Sequence, residues 1–139
     1  MEIRAFRESD EEAVVRLWRE CGLVVPWNDP HRDILRKLKV QRDLFLVGCH
    51  NGRIVATAMA GYEGHRGCVN YVAVSPELRG SGLGREMMES VEKRLKALGC
   101  AKINLNVRCS NPDAVKFYEK IGYRRDDVVC FGKRLESDE

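Results

Sequence analysis

A chain of 139 residues is long enough to bury one ordinary core and too short for two, so residues 1–139 are expected to form a single domain. With 44% apolar and 32% charged residues it reads as a soluble globular protein, and its apolar runs fall far below the ~18 residues of a membrane span. Met1-Glu2-Ile3-Arg4 has no apolar signal region, so a cytoplasmic location without a membrane partner is expected. The net charge of +3 is spread along the chain rather than blocked, which speaks against nucleic acid as a partner. Six cysteines without a C-x-x-C pair argue against a zinc site or any other metal, and for reduced thiols, most of them buried as small apolar residues.

Ile3 to Phe6 alternates as a short strand, and Ser9-x-x-Glu12 offers a capping box for a helix. Val14, Leu17, Trp18 and Cys21 recur at helical spacing on a core-facing stripe that Gly22 is placed to end. Pro26 and Pro30 exclude helix between them, and a second helix is expected from about Pro30 to Gln41. Trp27, beside Asn28 in that loop, has two readings: an aromatic folded back onto the core, or a wall of a substrate pocket. Leu44 to His50 and Arg53 to Tyr62 flank Asn51-Gly52, a two-residue hairpin signal. A third strand, Cys68 to Val74, follows the turn Glu63-Gly64-His65-Arg66-Gly67 and completes an antiparallel meander.

After Val72-Ala73-Val74 the apolar run breaks at Pro76 and enters Arg79-Gly80-Ser81-Gly82-Leu83-Gly84-Arg85. Alternate glycines let the backbone approach a ligand, and a helix that starts there leaves N–H groups free at its positive end. Such a site suits an anion, most often phosphate. A P-loop would need Lys and then Ser or Thr after the last glycine, and a dinucleotide fingerprint would need G-x-G-x-x-G tight behind a strand; neither pattern is present. The helix from Gly82 to Leu98 shows Met88, Val91, Leu95 and Leu98 on one face. A strand at Ala101–Val107, a helix at Asn111–Ile121, two strands near Tyr123–Arg125 and Val129–Leu135, and a frayed tail from Glu136 to Glu139 complete the expectation. Periodicity alone gives an α+β fold with a mixed sheet.

Arg79-x-x-Gly82-x-Gly84 resembles the pyrophosphate loop of the GNAT superfamily of acyl-CoA-dependent N-acetyltransferases. Asn111-Pro112-Asp113-Ala114-Val115-Lys116-Phe117-Tyr118-Glu119-Lys120-Ile121-Gly122-Tyr123 resembles the family's N-x-x-A-x-x-F-Y-x-x-x-G-[FY] segment at every specified position. On the residues themselves, Asn111 is an N-cap with Pro112 at the first helical position. The resemblance covers essentially the whole chain and implies one GNAT domain of order βααβββαβαββ, with a mostly antiparallel mixed sheet flanked by helices. It also implies acetyl-CoA as cosubstrate, no metal, and direct attack by a primary amine without a covalent enzyme intermediate. Val72, Ala73, Val74 and Arg79 to Arg85 would hold the cofactor with Asn111, and Tyr118 would give a proton to the departing thiolate. The acceptor would be a small-molecule amine or a peptide or protein amine, and a homodimer is left open.

One position departs from the pattern. The related ribosomal-protein alanine acetyltransferases carry a glutamate base on the strand before the Asn-capped helix, and the matching residue is Asn106, which takes no proton at neutral pH. Glu63, acting through water, and His65, of a residue type that titrates near neutral pH, are the expected replacements. Glu63 is favoured because a carboxylate also attracts a cationic amine. The rival reading is an acyl-CoA-binding sensor without turnover.

Overall fold

The computed structural model describes the chain from Met1 to Glu139. It divides into two compact units, Met1–Leu105 with Asp138–Glu139, and Asn106–Ser137. The first carries β1 (Glu2–Ala5), α1 (Glu11–Glu20), α2 (Pro30–Lys37), β2 (Phe45–His50), β3 (Arg53–Tyr62), β4 (Gly67–Val74), α3 (Leu83–Ala97) and β5 (Ile103–Asn104); the second carries α4 (Pro112–Lys120). The five strands lie in chain order, antiparallel up to β4 and parallel between β4 and β5, so the sheet is mixed and mostly antiparallel as expected. Asn51 and Gly52, with φ of 53° and 74°, make the left-handed pair that a two-residue hairpin requires.

β2 and β3 are covered on both faces, which is why they read as apolar runs rather than as alternations. On one face Val14, Leu17 and Trp18 of α1 pack with Phe45, Val47 and Met59. On the other, Met87, Met88, Val91 and Leu95 of α3 are fully buried. Small residues let α3 settle there: a Cβ on Gly48 would stand 3.1 Å from the Met87 sulfur, and one on Gly67 2.9 Å from Leu95 Cδ1. Each large apolar side chain so buried contributes roughly 1.5–3 kcal/mol. Leu98 does not join them; it sits at the end of α3, 52% exposed, whereas Met87, outside the expected stripe, is buried near the start of the helix.

Several boundaries differ from expectation for local reasons. The Ser9 capping box does not form, because Asp10 is held by Arg4 at 2.7 and 2.9 Å and accepts the Arg7 N–H at 2.8 Å. That pairing keeps the Asp10 carboxyl below its usual range, and α1 starts one residue later. α2 stops at Lys37, short of Gln41. Gln41 turns left-handed and its carboxamide pairs with both the N–H and the carbonyl of Tyr62, at 2.8 and 2.9 Å, extending the edge of β3 as a strand would.

The expected β5 over Ala101–Val107 shrinks to two residues, and the two final strands are absent. A strand exists only through its ladder. Val129, Phe131 and Leu135 have the alternation without the pairing, and they stand 79%, 92% and 91% exposed. The cysteines are also not core residues: Cys68, Cys109 and Cys130 are exposed, Cys21, Cys49 and Cys100 half-buried, and all six are free thiols. Nor is the tail loose throughout, since the Asp138 side chain is wholly buried against α2. No helix is long and apolar enough to cross a membrane.

Candidate active site

Between the pairs Thr57↔Ala73 and Met59↔Asn70 the β3–β4 register slips, so Tyr71 and Val72 together face Ala58 and Tyr71 takes a φ of 51°. A bulky residue in that region carries strain of order 1–3 kcal/mol and needs neighbours that hold it. The Tyr71 ring stacks on Trp18 with centroids 3.8 Å apart, and its hydroxyl donates to Asp33 at 2.6 Å. Burial and the Asp33 carboxylate push the phenol pKa up, so Tyr71 stays neutral. Buried Thr57 donates to the Tyr71 carbonyl at 2.8 Å and accepts the Trp18 indole N–H at 2.9 Å, so one hydroxyl joins α1, β3 and the bulge. Thr57→Val keeps the shape and leaves both partners unpaired. It is expected to lower stability by about 1–3 kcal/mol in urea unfolding, and an unchanged midpoint would show that the bulge is held by packing alone.

The bulge sits where β4 loses its neighbour. β5 pairs only with Gly67 and Cys68, leaving the far edge of β4 open from Val69 onward. The Ser75 N–H bonds the Val55 carbonyl at 2.8 Å, and ladder positions alternate, so Val74, opposite Ala56, turns its N–H and carbonyl to that open edge. The Cys21 thiol reaches the Val74 carbonyl at 3.3 Å. The Val74 N–H is a donor on the open edge.

The glycine loop follows directly. Buried Ser75 and a short turn at Pro76–Leu78 lead to Arg79 in extended backbone, then to Gly80 and Gly82 with φ of 82° and 88°. A Cβ at either glycine would meet nothing within 4 Å, so backbone conformation rather than crowding calls for glycine there. Gly82 is the N-cap of the fifteen-residue α3 and no side chain caps that end; the first intrahelical bond runs from Glu86 N–H to the Gly82 carbonyl. The amides of Leu83, Gly84 and Arg85 precede that bond at the positive end of the helix, with the exposed Arg79 and Arg85 side chains on the same loop. Val72 to Val74 thus present an open strand edge and, beyond the turn at Pro76–Leu78, Arg79 to Arg85 present the uncapped start of α3.

In the second unit Asn111 caps α4 as the sequence predicts: its side-chain oxygen accepts the Ala114 N–H at 3.1 Å, and Pro112 is the first helical residue. Tyr118, about 10 Å further along the axis, is edge-on to Phe117 and Tyr123, and burial pushes its phenol up to about 12. Asn106 is exposed on irregular backbone.

The acceptor-side residues are dispersed. Trp27 is 47% exposed and not folded into the core, and Asn28 next to it donates to the Val25 carbonyl at 3.2 Å. Glu63 and His65 lie in the β3–β4 turn, at the closed end of β4 where β5 pairs, roughly 25 Å along the strand from the glycine loop. The Glu63 carboxylate closes its own turn, accepting the N–H of His65 at 2.6 Å and that of Arg66. Those bonds hold its carboxyl below the usual range. The sequence reading missed Thr57, Tyr71, Asp33 and Arg36; a Thr inside the apolar run Ile54–Gly61 was the one available signal.

The model of the acetyltransferase (GNAT) family matches residues 8–123. An acetyltransferase of Pectobacterium atrosepticum is 49% identical over 138 residues, covering 99% of this chain and 98% of that protein. Among solved structures, Ard1 from Thermoplasma volcanium superposes with a TM-score of 0.78 at 23% identity, over 87% of this chain and 80% of that one. AAC(6')-Iy in complex with the bisubstrate analog CoA-S-monomethyl-acetylneamine gives 0.77 at 16%, over 96% and 98%. At these identities the structures share the fold, whereas the family match and the sequence relative carry the classification. The chain belongs to the GNAT family of N-acetyltransferases.

Proposed function

We propose that residues 1–139 act as one domain that moves an acetyl group from acetyl-CoA to a primary amine, by direct attack and without a covalent enzyme intermediate. The observation that carries this is the uncapped start of α3 behind a left-handed glycine, continuous with the open edge of β4. A phosphate-bearing ligand with an extended arm fits that combination, and when bound it supplies the activated thioester.

The amides of Leu83 to Arg85, with Arg79 and Arg85, hold the phosphates, and the Val74 N–H polarises the carbonyl. Asn111 donates to the pantetheine arm and Tyr118 protonates the thiolate. Holding the amine against the thioester supplies much of the rate. Acceptors named for structural neighbours include an aminoglycoside and glucosamine 6-phosphate. For this chain the acceptor class is a primary amine on a small molecule, peptide or protein, in a cytoplasmic setting that suits six free thiols.

The Glu63–His65 turn, at the far end of β4 from Val74, lies beyond the reach of a general base acting through one water, so proton removal from the amine falls to solvent. Glu63 is in addition committed to closing its own turn through the N–H groups of His65 and Arg66. The test is release of the CoA thiol from acetyl-CoA with a panel of primary amines. Amine-dependent release supports transfer; tight acetyl-CoA binding with no release on any amine would support a non-catalytic sensor. With an acceptor in hand, His65→Gln and Glu63→Gln are both expected to keep the wild-type pH profile of kcat/KM, and a shift in either would return the turn to the chemistry.

A further inference from the structure

We propose that α2, between its N-cap Asp29 and Arg36 in its last turn, carries a carboxylate-binding site, filled in this structure by the chain's own Asp138, and that it receives a carboxylate carried by the acceptor amine. The inference rests on the acetyl-transfer reading for the acceptor and on geometry alone for the site. Asp138 brings a carboxylate with no solvent exposure to α2, between the N-cap Asp29 and Arg36 in the last turn. One oxygen accepts the backbone N–H of Asp29 at 2.9 Å and an Arg36 Nη1 at 3.3 Å; the other accepts Arg36 Nη2 at 2.5 Å, with Arg32 Nη1 at 4.0 Å. A guanidinium fork and a backbone amide recognise a carboxylate by shape and charge together.

The receptor half is pre-arranged without Asp138. Asp33 holds Arg36 through one oxygen at 3.1 Å and the Tyr71 hydroxyl through the other at 2.6 Å. Asp29 caps the helix through the N–H of His31 and Arg32 and stands 3.8 Å from the Arg32 Nε. Both acidic partners are therefore engaged in orienting the fork. Tyr71 is the bulge residue immediately before Val72, so this pocket is wired by one hydrogen bond to the strand edge where the acyl group would lie. An amine bearing a carboxylate, such as an amino acid or the C-terminal end of a peptide, would anchor at Arg36 in place of Asp138 and present its amine toward that edge.

The site is tested first without catalysis, by thermal unfolding of the full chain in sodium propionate against sodium chloride of equal ionic strength. Asp138→Ala is expected to melt below wild type and to gain at least ~3 °C from propionate, while wild type, its pocket already filled, gains nothing. Asp138→Ala combined with Arg36→Met should lose the gain. An Asp138→Ala protein indifferent to propionate overturns the site. The acceptor assignment is tested with amino acids and dipeptides, each paired with its C-terminal amide. In Asp138→Ala the free acids should be acetylated at least tenfold more efficiently in kcat/KM than the amides, and Arg36→Met should erase that preference with the KM for acetyl-CoA unchanged. Equal use of acid and amide overturns the assignment and leaves the transferase reading intact. No CoA release with any amine overturns the transferase reading and the acceptor assignment together, and the propionate result still decides the site.

Discussion

Tyr118→Phe is expected to lower kcat by about a hundredfold while leaving acetyl-CoA affinity within a factor of two or so of wild type. Burial pushes the phenol up to about 12, so the hydroxyl is fully protonated at working pH and can only give a proton, not take one. The leaving thiolate is the group that needs it. Phe keeps the ring and its edge contacts with Phe117 and Tyr123, so the fold of α4 is not the variable. The same pKa fixes a sign: a basic limb of kcat at pH 8 or 9 cannot come from Tyr118, because losing its proton requires a pH well above that range. Pre-steady-state measurement of the chemical step checks the value where product release limits turnover. A wild-type rate for that step in Tyr118→Phe would remove the general-acid role.

Gly84→Asp should weaken acetyl-CoA binding at least tenfold, about 1.4 kcal/mol, by calorimetric titration. Gly82 is a poorer choice for this test, because its φ of 88° makes any substitution strained in itself. Gly84 lies inside the first turn of α3 in ordinary helical backbone, where an aspartate favours the helix through the macrodipole. Loss of affinity in a variant at least as stable as wild type therefore reports repulsion and bulk at the anion cradle. Gly84→Ala separates the two, adding one methyl without the charge. Wild-type affinity in a folded Gly84→Asp protein would mean that the phosphates do not approach this turn.

The parts of this molecule that the sequence makes legible are those decided within a few residues. Asn51-Gly52 specifies its own turn, Asn111-Pro112 its own cap, and the glycine loop its own backbone. Elements that depend on distant partners are not. Ser9-x-x-Glu12 reads well locally as a cap, yet the chain there is held by Asp10 to Arg4 and the Arg7 N–H, and Gln41 leaves its helix to pair with Tyr62. The run around Val129 and Phe131 has a strand's alternation and lacks a neighbour to pair with. Nothing about Tyr71 as a residue type announces a left-handed φ; it follows from Trp18, Thr57 and Asp33, which come from three separate stretches of chain. The carboxylate pocket on α2 is illegible for the same reason, since Asp29 and Asp138 meet across 109 positions.

The small residues beneath α3 bear on how this site can change over time. Gly48, Gly67 and the alanines of β3 act as a spacer that fixes the height of the helix over the sheet, and hence where its first amides project. A methyl group added in that layer would tilt a rigid fifteen-residue rod and move its phosphate-facing tip, far from any ligand. α1 and α2 reach the sheet from the opposite side and share none of that spacer. On the proposed reading, acceptor preference can therefore drift through surface substitutions on one side, while the cofactor end is locked to the volume of an interior layer on the other.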